Sequence, residues 1–162
     1  MPRLFGDKLR YLRRQRGIIQ VDLARQLGLA SHAHIANLEA SKDASSLDLI
    51  VRVARLFGVT VDSLLRDTIP VEALEAYRLP SSSQSELSPQ HFGIQLRALR
   101  LQRNLSQVDL AQQLGIARQA YISNLEAGRK RPSPELVVQI ADLFGVTADY
   151  LLLNSIDADQ QR

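Results

Sequence analysis

Apolar residues along this chain recur at steps of three and four, and the strict alternation of a half-buried strand is absent. Phe5, Leu9 and Leu12 fall on one helical stripe. The segment from Gln20 to Leu27 makes a second helix that stops at Gly28, the residue type favoured where a helix end turns left-handed. A third, short helix centres on Ile35 and Leu38. A fourth runs from about Leu49 to Phe57, with Leu49, Val53, Leu56 and Phe57 as core, and stops at Gly58. Thr60 then stands where an N-cap belongs, ahead of Leu64 and Leu65. The pattern predicts five short helices and no sheet.

The same pattern then returns. With an offset of 87 residues, Phe5 to Asp67 aligns without a gap on Phe92 to Asn154, and a little over half of the positions are identical. Phe92, Leu96 and Leu99 repeat the first stripe, Gln107 to Leu114 with Gly115 the second helix, Ile122 and Leu125 the third, Leu136 to Phe144 with Gly145 the fourth, and Thr147 with Leu151 and Leu152 the last. The expected fold is therefore all-α, two five-helix domains over residues 3–67 and 91–154, joined by a linker over 68–90. Within the linker, Val71, Leu74 and Tyr77 make a short amphipathic turn able to dock on a neighbour. Pro80-Ser81-Ser82-Ser83-Gln84-Ser85 reads as flexible, and the polar tail from Ser155 to Arg162 as frayed.

Composition narrows the function. The absence of cysteine excludes disulfides and thiolate zinc sites. No run is apolar enough to span a membrane, and Met1 to Asp7 lacks the apolar core of a secretion signal, so a cytoplasmic, nucleoid-associated protein is expected. There is no phosphate loop or recurrent acid–base cluster, so no catalysis and no cofactor are expected. The net charge of +3 divides as +4 over residues 1–67, −2 over 68–90 and +1 over 91–162. A basic domain favours a polyanionic partner, although ordinary solubility charge explains the same excess. The run Arg10 to Arg16 divides in the same way between a solvated face and attraction to a nucleic-acid backbone.

Residues Gln107 to Glu126 have the layout of a helix-turn-helix: a helix, a glycine turn, then a second helix crossing the first. Leu110 and Leu114 point to the core, and Ala111 must be small where the helices cross. Ile122 and Leu125 form the buried face of the second helix, so positions 119, 120, 123, 124 and 127 point outward. In this motif that face enters the DNA major groove. Gln119 and Asn124 carry amides that match the donor and acceptor of an adenine edge. Gln107 stands at a helix N-terminus that attracts phosphate. Ser106 caps this helix, with Asp109 as the acidic partner of a capping box. Gly128-Arg129-Lys130-Arg131 places three cations beside the same face, suited to phosphates.

On these residues each unit resembles the lambda repressor/Cro-like helix-turn-helix family. The resemblance rests on L-x-Q-x-x-L-A-x-x-L-G, then I-x-x-L-E-x-G, P-S and L-F-G-V-T, and covers residues 5–67 and 92–154. It implies a sequence-specific DNA-binding transcriptional regulator, most often a repressor, with double-stranded DNA as partner. It implies phosphate contact from Gln107, base-facing roles for Gln119, Ala120 and Asn124, and either role for Arg118, with Tyr121 and Ser123 on the same surface. It also implies that Arg13 with Glu39, and Arg100 with Glu126, are structural ion pairs rather than DNA contacts. Gly115 to Ile122 is one residue longer than the commonest turn of the family, as is Gly28 to Ile35, which leaves Arg118 and Gln119 placed to within one position.

The first unit departs further from the pattern. Ile19 replaces the capping serine, His32 replaces Gln119, Ser41 replaces Gly128, and Lys42-Asp43-Ala44 replaces Arg129-Lys130-Arg131, while Gln20, Ala33 and Asn37 persist. Its candidate DNA-facing set is therefore Gln20, His32, Ala33, Asn37 and Lys42. His32 and His34 lie two apart, face different ways and chelate poorly, so no metal is expected. This unit reads a different half-site, reads weakly, or holds a protein. In the last alternative the chain is a DNA-tethered interaction module, antitoxin-like or dimerising. A homodimer is likewise left open.

Overall fold

The computed structural model describes residues 4–79 and 89–153. The chain divides into two compact units, Met1–Ser82 and Ser83–Arg162. In the first, the helices are α1 (Phe5–Gln15), α2 (Gln20–Gln26), α3 (His32–Glu39), α4 (Leu47–Phe57) and α5 (Val61–Leu65), followed by a 3-10 helix over Val71–Tyr77. The second repeats the five as α6 (Pro89–Gln102), α7 (Gln107–Gln113), α8 (Gln119–Glu126), α9 (Pro134–Phe144) and α10 (Ala148–Leu152). No strand forms among the described residues; the one isolated bridge, Val59 to Arg78, is antiparallel.

The ends of the helices follow local chemistry. Ser106 Oγ accepts from the Asp109 amide while the Asp109 carboxylate accepts from the Ser106 amide, the expected capping box. These bonds hold the Asp109 carboxyl below its ordinary range. Thr60 and Thr147 cap α5 and α10 through the Ser63 and Tyr150 amides. Gly58 and Gly145 close α4 and α9 with φ of 64° and 69°, where any side chain is strained. Both of these helices begin two residues earlier than the apolar stripe suggests, because Ser46 and Ser133 cap them.

The core of each unit contains the predicted Phe5, Leu9, Ile35, Leu38, Leu49, Val53, Phe57 and Leu64, with Phe92, Leu96, Leu110, Ile122, Leu125 and Leu151 in the second, and adds Leu23, Ile50, Val137 and Ile140. Leu56 and Leu114, expected inside, are only half-buried. Gly6 and Gly93 let the first helix of each unit press against the end of the third. A Cβ at position 93 would lie 2.6 Å from the carbonyl oxygens of both Leu125 and Glu126, and one at position 6 would collide with Leu38 O. This close approach brings Arg13 and Arg100 to the glutamates that end α3 and α8.

Lys8 is fully buried, and its Nζ donates to Ser63 O at 2.7 Å and Arg66 O at 2.6 Å, satisfying carbonyls at the end of α5. Burial lowers the pKa of this ammonium from 10.5 to about 8, against the opposing charges of Asp67 and Asp62. The second unit carries Gln95 at the matching position.

Within the stretch read as linker from residue 68, the short amphipathic turn forms as a 3-10 helix. Leu74 is fully buried, the 3-10 helix packs on α1, Thr60 N donates to Tyr77 O, and Leu79 N donates to Gly58 O. Val71–Tyr77 thus docks on its own unit, because one buried leucine and two backbone bonds anchor it. The serine-rich stretch Pro80 to Ser85 and the tail from Ser155 lie outside the described residues.

Candidate nucleic-acid interface

In both units the second and third helices pack against each other across the glycine turn. Gly28 and Gly115 hold φ of 63° and 66° there. Helix α8 starts at Gln119, and Arg118 is its extended N-cap residue, which fixes the register that the longer turn left open. Ile122 and Leu125 are fully buried. Arg118, Gln119 and Ala120 are exposed, and Tyr121, Ser123 and Asn124 are half-buried along the same side. In the first unit, Ile35 and Leu38 are buried while His32 and Ala33 are exposed and Asn37 is half-buried.

Behind this face lies a buried ion pair in each unit. Arg100 Nε donates to Glu126 Oε1 at 2.6 Å and a terminal nitrogen donates to Oε2 at 3.0 Å. The remaining terminal nitrogen of the fork reaches Leu105 O at 2.8 Å. Arg13 makes the same three bonds to Glu39 and Ile18 O, at 2.6, 3.0 and 2.9 Å. The bond to the glutamate raises the pKa of each arginine further. At Glu39, burial opposes ionisation. The bonds from Arg13 and Gln20 and the charges of Arg13 and Arg10 outweigh it and hold the carboxyl below its ordinary range. Arg10 also donates to the Glu39 carbonyl, and Arg16 stacks 5.0 Å from the Phe57 ring centroid. Much of the Arg10 to Arg16 run is therefore tied into the unit itself.

The pair extends outward to the exposed face. Gln107 Nε2 donates to Glu126 Oε2 at 2.9 Å, and Gln107 Oε1 accepts from Gln119 Nε2 at 2.9 Å. Gln107, expected as a phosphate contact, is thus a bridge between a buried carboxylate and an exposed amide. Gln20 makes the matching bond to Glu39 Oε2 at 3.0 Å. Asn124 Oδ1 accepts from Arg129 Nε at 2.9 Å, so its acceptor is engaged. Lys130 Nζ stands 5.5 Å from the centroid of the Tyr121 ring. Arg129 and Lys130 are therefore ordered on α8, and Arg131, which follows them, is exposed.

The first unit presents a different surface. Ser31 caps α3 through the Ala33 amide, whereas Arg118 offers no side-chain cap. His34 Nδ1 lies 3.4 Å from Asp43 Oδ2. Ile19 is 59% exposed, where the second unit has its capping serine. Lys42 is exposed, and its amide donates to Asn37 O. The bonds of Gln20 and Gln107 to buried glutamates were not apparent in the sequence. Their recurrence in both copies beside Glu39 and Glu126 was the available signal.

The helix-turn-helix family model matches twice, over residues 9–64 and 96–151. The chain belongs to this family, in its lambda repressor/Cro-like form. One relative is the uncharacterized HTH-type transcriptional regulator MJ0272 of Methanocaldococcus jannaschii, 39% identical over 62 residues that cover 38% of this chain and 92% of the relative. Another is the uncharacterized HTH-type transcriptional regulator YqaE of Bacillus subtilis, 36% identical over 61 residues, 38% of this chain and 52% of the relative. The match therefore spans about half of the YqaE length. No solved structure matches. Family membership makes the chain a helix-turn-helix transcriptional regulator, a family whose role is DNA binding. Among the described residues no helix is long and apolar enough to cross a membrane.

Proposed function

We propose that this chain is a repressor that reads double-stranded DNA with α3 and α8, both units contributing contacts to one operator. The observation that carries the reading is the line of bonds from Arg100 through Glu126 and Gln107 to Gln119. It uses one N–H of the exposed Gln119 amide, whose second N–H and Oε1 then remain for a ligand. An adjacent donor and acceptor held in a fixed plane is what an adenine edge in the major groove accepts. Arg129 and Lys130, held against α8 by Asn124 and Tyr121, supply cations for the flanking phosphates. Arg118 and Arg131 add charge beside them. Repression needs no further chemistry, because a protein seated on a promoter excludes polymerase by bulk.

Selection of bound sequences from a random DNA pool by the full chain tests this. A discrete motif is expected. Gln119→Ala is expected to lose about 1–3 kcal/mol of discrimination at one base position. Enrichment of no sequence, with binding equal across the pool, would refute the reading.

A further inference from the structure

We infer that the two units read different half-sites, so that the operator is directional and not a repeat of one element. The half-site under the second unit presents adenine to Gln119, and that under the first presents guanine to His32. The inference rests on the DNA-binding reading above.

The framework behind the two faces is the same. Arg13 and Arg100, Glu39 and Glu126, and Gln20 and Gln107 are identical in kind, and their bonds agree to within about 0.1 Å. Each recognition helix is therefore set on its unit in the same way, and differences in reading come from the side chains on the outer face. Three outward positions are unchanged, Ala33 with Ala120, Asn37 with Asn124 and Ala40 with Ala127. Those that differ do so in hydrogen-bonding type: His32 against Gln119, His34 against Tyr121, Ala36 against Ser123, and Ser31 against Arg118.

The change at the first helical position decides the base. The Gln119 amide keeps a donor and an acceptor side by side once Gln107 has taken one N–H. An imidazole offers a single ring nitrogen on any edge and no adjacent donor and acceptor. A lone ring N–H can be shared between the neighbouring acceptors N7 and O6 of guanine, whereas at adenine it reaches only N7 and leaves the N6 donor unanswered.

The surroundings differ in the same sense. Arg118 adds an exposed cation at the start of α8, where Ser31 spends its hydroxyl capping α3. Asp43 occupies the place of Lys130 and lies against His34, so it removes positive charge from the first face. The half-sites therefore differ in backbone attraction as well as in base preference.

The test uses the full chain and a random DNA pool, followed by the single variants His32→Gln and Gln119→His. Wild type is expected to enrich two dissimilar half-sites in a fixed order. His32→Gln is expected to switch the preference at one position of the first half-site from guanine towards adenine by about 5- to 150-fold, leaving the second half-site as it was. Gln119→His is expected to make the opposite switch in the second half-site only. Both positions are exposed, and normal thermal unfolding of each variant confirms that the framework is intact. Two identical half-sites bound by wild type, or an unchanged preference in both variants, overturns the inference while DNA binding stands. Absence of any enriched sequence overturns the DNA-binding reading and this inference with it.

Discussion

Glu126→Ala isolates the element on which the second recognition helix depends. The Glu126 side chain is 4% exposed and that of Arg100 is 9% exposed. Removing the carboxylate strands a buried guanidinium that keeps only its bond to Leu105 O, and it deprives Gln107 Nε2 of its acceptor. Breaking a buried pair from one side costs about 3–5 kcal/mol. A unit of this size is stable by about 3–10 kcal/mol in total. The loss therefore removes about a third or more of the stability of the second unit, a drop in its melting temperature of at least about 12 °C.

Thermal unfolding of the full-length protein, followed by calorimetry, measures this, with the transition of the first unit as an internal reference. The double variant Arg100→Met with Glu126→Leu provides the control. Replacing both charges with apolar groups of similar volume removes the stranded ion and is expected to restore most of the stability. If Glu126→Ala melts as wild type does, or if the double variant is no better than the single one, the pair is not the buried support described above.

Lys8 yields a pH prediction. Its folded pKa of about 8 lies below its ordinary 10.5, so between those values the unfolded chain binds more protons than the folded one, and stability rises with pH across that window. The neutral amine retains two N–H donors for Ser63 O and Arg66 O. Denaturant titrations at pH 7.5 and pH 10 are expected to show this rise in wild type and its loss in Lys8→Gln, and equal slopes in the two would contradict it. Salt yields another: contacts from both units to about 6–10 phosphates predict a fall in affinity of about 10³–10⁵ between 50 and 200 mM salt, and a flat response measured by fluorescence anisotropy would count against a DNA ligand. Linkage yields the last: fragments cut after residue 82, so that Val71–Tyr77 stays on its own unit, are expected to bind the operator about 10²–10⁴ times more weakly than the intact chain. Equal affinity of either fragment and the whole would show that one unit suffices.

The parts of the fold legible in the sequence are those set by neighbours along the chain. Ser106 with Asp109, Thr60, Thr147, Gly58 and Gly145 each act within four residues, so their spacing alone predicts the helix ends. The apolar stripes likewise state which face is buried. What spacing does not carry is the partner of a polar group across the fold. Gln107 reads as an exposed residue at a helix start, and only the approach of α6 to α8 at Gly93 brings Glu126 under it. Val71–Tyr77 reads as linker because it holds a single deeply buried anchor, Leu74, and its pairing partners, Gly58 and Thr60, precede it by more than ten residues.

The internal repeat partly replaces the missing long-range information. Polar residues kept in both copies (Arg13 with Arg100, Gln20 with Gln107, Glu39 with Glu126, Arg16 with Arg103) all prove to be bonded within their units. Many that differ, such as His32 with Gln119 and Ser31 with Arg118, are exposed on the recognition face. Lys8 with Gln95 breaks the rule, for it differs although Lys8 is buried. The exception has a local cause. Lys8 answers the carbonyls of Ser63 and Arg66 at the end of α5, beside the charges of Asp62 and Asp67. Sameness among these bonded polar residues thus marks the common scaffold, although Asn37 with Asn124 is also kept on the outer face, and many of the differences lie on that face. On the reading proposed above, the exposed differences at the start of α3 and α8 change hydrogen-bonding type, and it is those positions, and not the basic loops alone, that are proposed to set which sequence each unit prefers.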